Sequence, residues 1–108
     1  MPSVEDFLNL VKDEALSGVK KEFKDLLDQA AKEELDFVKE TAELVKNWAI
    51  QRVKGEITND GFERLLRARK RVVMQELNTL EIKARARVEK IVMGVVDIVL
   101  DKFLGKIV

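Results

Sequence analysis

The sequence predicts an all-α fold, from its composition, its apolar periodicity and its scarcity of helix breakers. Ala, Glu, Lys, Leu and Arg are abundant, whereas Pro occurs once and Gly five times, which is typical of long helices and coiled coils. Hydrophobic residues make up 46% of the 108 residues, too many for a disordered chain and enough for one domain. We therefore expect a single helical domain over residues 1–108.

The first predicted element is a short helix over residues 3–17. Ser3 is a favourable N-cap, and Asp6 stands three residues later, as in a capping box. Apolar residues then recur at helical spacing, at Val4, Leu8, Val11, Ala15 and Val19. Gly18 could end this helix in the left-handed conformation or continue it at a cost of about 1 kcal/mol. The apolar phase passes through Gly18 without a slip, so the sequence leaves a break there open.

The second predicted element is a long helix over residues 20–54. Its apolar seam follows gaps of four and three residues, a heptad pattern that favours left-handed packing against a neighbouring helix. The seam consists of Ala31, Leu35, Val38, Ala42, Val45 and Ala49, and a second row with Phe37, Leu44 and Trp48 widens it. Since one neighbour cannot cover so wide a stripe, we expect this helix to contact several others.

A loop over residues 55–60 leads to a third helix, predicted over residues 59–104, with Thr58 as its N-cap and Gly94 as a site where a break stays open. An unbroken helix of this length would span about 68 Å at 1.5 Å per residue. A compact domain of this size has a radius of gyration of only about 13 Å. The sequence therefore predicts an elongated hairpin of two long helices plus the short N-terminal helix. A dimer or higher homo-oligomer would complete the helical bundle, as in a coiled coil.

The segment from residue 91 onward is the most apolar part of the chain, with twelve apolar residues, two glycines and four charges in eighteen. Its cover could be the same chain, a second copy, another protein or a membrane. Asp97 near its centre disfavours a membrane span, while Lys102 and Lys106 leave attachment to a membrane surface open. The predicted interface combines this segment with the seam, at Ala31, Leu35, Val38, Ala42, Val45, Trp48, Ile91, Val92, Val95, Val96, Val99 and Phe103.

Charge is unevenly distributed along a chain whose net charge is zero. Residues 1–51 carry twelve acidic and seven basic residues, whereas residues 52–90 carry six acidic and eleven basic ones. This asymmetry suits two helices, or two copies of the chain, that pair with each other.

Four arginines of the third helix form a candidate anion-binding face. Arg64, Arg67 and Arg71 fall opposite the apolar stripe, and Arg85 continues that side of a continuous helix. Such a face could bind phosphate or lipid headgroups. The alternatives are a solvated face or pairing with the acidic first half. No aromatic residue is interleaved with these arginines, which disfavours nucleic acid because bases have no stacking platform.

Catalysis has little support, because the chain contains no His, Cys or Tyr. The usual general base and the thiolate nucleophile are therefore missing. Glu33, Glu34, Glu40 and Glu43 can cluster only on a solvated helix face. We expect no enzymatic activity, no cofactor and no metal. The N-terminus lacks the basic and apolar regions of a signal peptide, so a cytoplasmic location is the default expectation.

Three functional hypotheses remain. The first is a non-catalytic structural protein, a protein–protein interaction module that self-associates through the seam and the apolar C-terminal helix. The second is a peripheral membrane or lipid-binding protein with an amphipathic helix. The third is a small regulator that binds an anionic partner through the arginines.

Overall fold

The structure is a computed structural model that describes residues 2–107. In this range the chain forms five α-helices and no strand, which confirms the all-α prediction. The helices are α1 (Val4–Leu10), α2 (Ser17–Ala31), α3 (Asp36–Val53), α4 (Asn59–Leu77) and α5 (Ile82–Ile98). A 3-10 turn at Glu14–Leu16 precedes α2, and a π-helical turn at Val99–Phe103 and a 3-10 turn at Leu104–Lys106 follow α5.

The helix predicted over residues 3–17 is shorter in the structure. Ser3 caps α1 as expected: its hydroxyl accepts a hydrogen bond from the Asp6 amide, and its own amide donates to the Asp6 carboxylate at 2.8 Å. The helix ends early because Val11 takes an extended conformation and Asp13 caps a separate turn. The chain therefore changes direction before α2 begins.

The helix predicted over residues 20–54 is two helices, α2 and α3, separated by residues 32–35. No glycine or proline marks this break, so local helix propensity does not explain it. The turn instead lets α2 and α3 pack against each other and bury their apolar faces against α5. Burying one large aliphatic side chain contributes about 1.5–3 kcal/mol, and a helical hydrogen bond contributes about 0.5–1.5 kcal/mol net. Burying several such side chains therefore outweighs the few hydrogen bonds that the turn gives up.

The helix predicted over residues 59–104 is also divided, by a turn at residues 78–81 between α4 and α5. Thr58 caps α4 as predicted, accepting a hydrogen bond from the Gly61 amide at 3.0 Å.

Neither of the two glycines at which a break was left open interrupts a helix. Gly18 lies within α2 and Gly94 lies within α5. The described chain measures 40 × 26 × 24 Å, so the prediction of an elongated hairpin with a helix of about 68 Å is wrong.

Four of the helices close into a ring. α2 contacts α3, α3 contacts α4, α4 contacts α5, and α5 returns to α2, while α3 and α5 also touch each other. α1 packs against α3. Gly94 permits the close approach of α5 to α2, because a methyl group at this position would lie 2.7 Å from the Leu26 side chain. The ring explains how a stripe too wide for one neighbour is covered without a second chain.

The interior contains two apolar clusters, and the half-buried Leu27 packs against both. The first cluster is built around aromatic rings. Phe103 meets Phe23 and Phe7 edge-on, with ring centroids 5.3 and 6.2 Å apart, and Phe7 meets Phe62 at 5.6 Å. The second cluster is aliphatic and consists of Ala30, Val38, Ala42, Val73, Leu77, Val88, Ile91 and Val92.

The apolar C-terminal segment is buried by its own chain. Its predicted interface residues are at most 8% exposed, namely Ile91, Val92, Val95, Val96, Val99 and Phe103. A hydrogen bond also holds the end of the segment in place: the Ile107 carbonyl accepts from Asn59 Nδ2 at 2.9 Å. Asn59 Oδ1 in turn accepts one from Arg52 Nε at 2.7 Å. The cover that the sequence left open is therefore supplied within the chain.

This placement predicts that Val95→Asp unfolds the protein instead of dissociating an oligomer. Val95 is completely buried in the aromatic cluster, and an unpaired carboxylate there should cost on the order of 4 kcal/mol. Lys90→Asp, on an exposed position of the same helix, should change stability by less than about 0.5 kcal/mol. Urea unfolding followed by circular dichroism measures both. A Val95→Asp variant with full helicity and a smaller solution mass than the wild type would contradict the intramolecular burial.

Candidate functional site

The outer face of α4 carries three of the four predicted arginines. The inner face is fixed by the buried residues Phe62, Leu66, Val73 and Leu77. Arg64, Arg67 and Arg71 lie opposite them and are exposed; together they are the arginine face. Arg67 forms an exposed ion pair with Glu63 at 3.5 Å. Arg64 and Arg71 form no ion pair with any residue in the range 2–107.

Arg85, predicted to continue this face, lies on a different helix. That prediction assumed one continuous helix, but the turn at residues 78–81 places Arg85 in the first turn of α5. Its side chain is half-buried. The predicted set of four arginines is therefore reduced to three on a single helix face.

Arg69 shows that part of the basic run has a structural role. Its Nε donates to Thr41 Oγ1 at 3.0 Å and its Nη2 donates to the Phe37 carbonyl at 3.1 Å. The Thr41 hydroxyl is fully buried and donates to the same carbonyl at 2.6 Å. Glu40 lies 3.7 Å from the Arg69 guanidinium. This side chain joins α4 to α3 and is turned away from the arginine face.

Two further basic residues of the second half of the chain are paired within the fold. Lys70 of α4 lies 2.8 Å from Asp97 of α5. Arg87 donates two hydrogen bonds to Glu33, at 2.5 and 3.2 Å, and so joins α5 to the turn after α2. The Arg87 guanidinium lowers the pKa of Glu33, and Glu33 raises that of Arg87. Pairing between the basic and acidic parts of the sequence, one of the open alternatives, thus applies to Arg87 and Glu33, whereas the partner of Lys70 lies in the C-terminal segment.

The large hydrophobic side chains that stay exposed in residues 2–107 all lie close to the arginine face in sequence. Val72 is 41% exposed, Met74 51% and Ile82 88%. None of the three belongs to the interface or the anion-binding face that the sequence predicts. A signal was present at Ile82, since this residue falls outside the apolar stripe that runs through Leu80 and Ala84. An isolated exposed hydrophobic residue is ordinary, but Met74 and Ile82 lie on either side of the same turn, between α4 and α5.

The predicted seam is only partly at the surface. Val38, Ala42 and Val45 are buried within the chain, Leu35 and Trp48 are half-buried, and Ala31 is exposed. Ala31 and Ala42 also line a groove of about 490 Å³ between α1, α2 and α3. The groove has an apolar floor that includes Leu27. Its rim carries both signs of charge, from Glu5, Lys24, Asp28, Lys39, Glu43 and Lys46.

Within residues 2–107, no group of three or more acidic side chains is arranged to hold a metal ion. In the same range, no helix is long and apolar enough to cross a bilayer.

Comparison with known proteins finds no family model, no curated protein and no solved structure that matches this chain. The chemistry of the surface is therefore the basis for assigning a function.

The Glu33–Arg87 pair predicts a pH-dependent contribution to stability. Because the folded-state pKa of Glu33 is lowered from its ordinary 4.5, the contribution is present above this value and is lost as the pH falls below it. Glu33→Gln should therefore lower the free energy of unfolding at neutral pH and approach the wild type in acid. Glu22→Gln, at an exposed position, is the control. Urea titrations across this range measure the effect, and a Glu33→Gln deficit independent of pH would contradict it.

Proposed function

We propose that this protein is a non-catalytic helical module that binds an acidic partner through the arginine face. The observation that carries the proposal is that Arg64 and Arg71 project from α4 without an ion pair in the described chain. The chain has 20 basic and 20 acidic residues, so it contains enough carboxylates to pair with every basic side chain. The nearby basic residues Arg69, Lys70 and Arg87 all have acidic partners.

The arginine face is suited to an extended acidic surface more than to a single small anion. Its three arginine side chains are spaced along about two turns of one helix face, and all three are exposed. Guanidinium groups stay charged at all physiological pH values and bind phosphate or carboxylate in a bidentate manner. A row of such groups raises the rate of encounter with a partner of opposite charge.

The absence of His, Cys and Tyr from the sequence supports a non-catalytic role. Of the hydroxyl side chains, Thr41 is buried and bonded to Phe37 and Arg69, and Ser3 and Thr58 cap helices. These three groups serve the fold.

The proposal predicts that Arg64→Ser, Arg67→Ser and Arg71→Ser, combined in one variant, weaken binding to immobilised heparin, a polyanion. The variant should elute at lower salt, and its binding should depend less steeply on salt, because fewer counterions are released. Salt-gradient elution and titration at several salt concentrations measure these effects.

A matched control removes the same charge elsewhere. Lys12, Lys21 and Lys32 are exposed residues of the acidic part of the chain and form no ion pair within residues 2–107. Their combined replacement by Ser should leave most of the retention intact. Equal losses in the two variants, or a wild-type protein that heparin does not retain, would overturn the proposal.

Self-association is a second candidate function, and the groove between α1, α2 and α3 favours it. The groove is lined by two residues of the predicted seam, the exposed Ala31 and the buried Ala42. Its rim has three lysines and three carboxylates, so two copies of the same surface can be complementary in charge. This would place the contact on α2 and α3 and leave the C-terminal segment buried.

The self-association candidate predicts a solution mass larger than one chain, which Ala31→Arg reduces by placing a long charged side chain on the exposed groove floor. Lys32→Arg, at the adjacent exposed position, should leave the mass unchanged. Light scattering coupled to gel filtration measures it. A wild-type protein with the mass of a single chain would rule this candidate out.

A further inference from the structure

We propose that the acidic partner is the surface of a membrane containing anionic lipids, and that Ile82 and Met74 enter its interfacial region. This inference rests on the proposed function, because it uses the arginine face as the electrostatic part of the contact. It adds an apolar part, formed by the residues that border the α4–α5 turn. The arginine face together with Met74, Ile82 and Ala86 is called the α4–α5 corner.

Helical spacing relates the apolar residues of the corner to the ion pair that joins α4 and α5. Lys70 and Asp97 meet at 2.8 Å and mark one point at which α4 and α5 are joined. Met74 lies one turn after Lys70 on α4, and Ala86 lies about three turns before Asp97 on α5. Ile82 lies one turn before Ala86, so helical spacing places both on the side of α5 that carries Asp97, and it places Met74 on the side of α4 that carries Lys70.

The exposure of these residues is unusual for their size. Ile82 is 88% exposed and Met74 51%, so the chain leaves most of both side chains in water. Ala86 and Lys83 beside them are exposed as well. Met74 follows Arg71 by one helical turn, and Ile82 lies between the exposed Glu81 and Lys83. Apolar side chains with Arg and Lys nearby are the composition of surfaces that lie in the interface of anionic membranes. The cations meet the headgroups, and the apolar groups leave water at the acyl-chain boundary.

Other acidic partners match the corner less well. A single-stranded nucleic acid would need aromatic side chains for its bases, but none lies in the corner. Phe37 and Trp48 belong to α3, and the other aromatic residues are completely buried, namely Phe7, Phe23, Phe62 and Phe103. An amphipathic helix of an acidic protein would need an apolar groove, whereas Ile82 projects from the surface. A projecting apolar residue beside positive charge is complementary to a flat, negatively charged and deformable surface.

The test compares sedimentation with vesicles of phosphatidylcholine alone and of phosphatidylcholine mixed with phosphatidylserine. The wild type should bind only the mixed vesicles. Replacement of the three arginines by Ser should weaken this binding about a hundredfold. Ile82→Ser should weaken it about tenfold, because less apolar surface leaves water, and its retention on heparin should equal that of the wild type.

Val72→Ser is the matched control for Ile82→Ser. Val72 is also an exposed aliphatic residue, but it lies three residues after Arg69, which faces α3. It therefore occupies the flank of α4 away from the α4–α5 seam. Its replacement should leave vesicle binding unchanged. Since Ile82 and Val72 are both exposed, circular dichroism should show intact folds in both variants.

A second measurement reports directly whether residue 82 enters the membrane. The chain has no Cys, so Ile82→Cys and Val72→Cys each provide one thiol for a polarity-sensitive fluorophore. Mixed vesicles should shift the emission of the probe at residue 82 to shorter wavelength and leave that at residue 72 unchanged. Equal shifts at both positions would overturn the orientation proposed here.

The outcomes separate this inference from the proposed function. Retention on heparin that depends on the arginines, with no sedimentation on mixed vesicles, would overturn the membrane assignment and leave the acidic-partner proposal standing. Vesicle binding that is unaffected by Ile82→Ser would likewise remove the apolar contact. Failure to bind both heparin and mixed vesicles would overturn both proposals.

Discussion

Burial of the segment from Ile91 to Ile107 by the rest of the chain is the constraint on which the fold depends. The segment is apolar around most of its circumference, and a helix of that kind needs neighbours on several sides. α2, α3 and α4 provide them only because each of the two long predicted helices is divided by a turn. Phe103 then reaches Phe7 and Phe23 and joins the end of the chain to its beginning.

The same arrangement sorts the basic residues into two groups. Arg69, Lys70 and Arg87 join neighbouring elements through Thr41, Glu40, Asp97 and Glu33. The remaining arginines on the outer side of α4 are left to solvent because the inner side is filled with apolar residues. Zero net charge in the sequence is therefore compatible with a locally positive surface. That surface, and the exposed apolar residues beside it, are the basis of both proposals about binding.

Local signals in the sequence predicted the starts of α1 and α4 and most of the core-facing residues. Ser3 and Thr58 act as caps because their hydroxyls satisfy amides that the first turn leaves free. The turns at residues 32–35 and 78–81 were missed because neither contains Gly or Pro; tertiary burial sets them. Because the turn at residues 78–81 was not predicted, Arg85 was assigned to the wrong helix and the exposure of Ile82 was not expected. Which arginines are paired could not be predicted, because Arg87 and Glu33 are 54 residues apart.

The contact between Phe7 and Phe103 has a consequence for how the chain acquires its structure. Helical proteins usually fold rapidly because most of their contacts are local, whereas contacts between distant residues require a large loop to close first. Here the first helix completes its aromatic packing only after nearly the whole described chain has been synthesised. Until then Phe23 lacks the ring of Phe103, and Phe7 has only that of Phe62 to pack against. The nascent chain therefore exposes apolar surface of the kind that chaperones protect from aggregation.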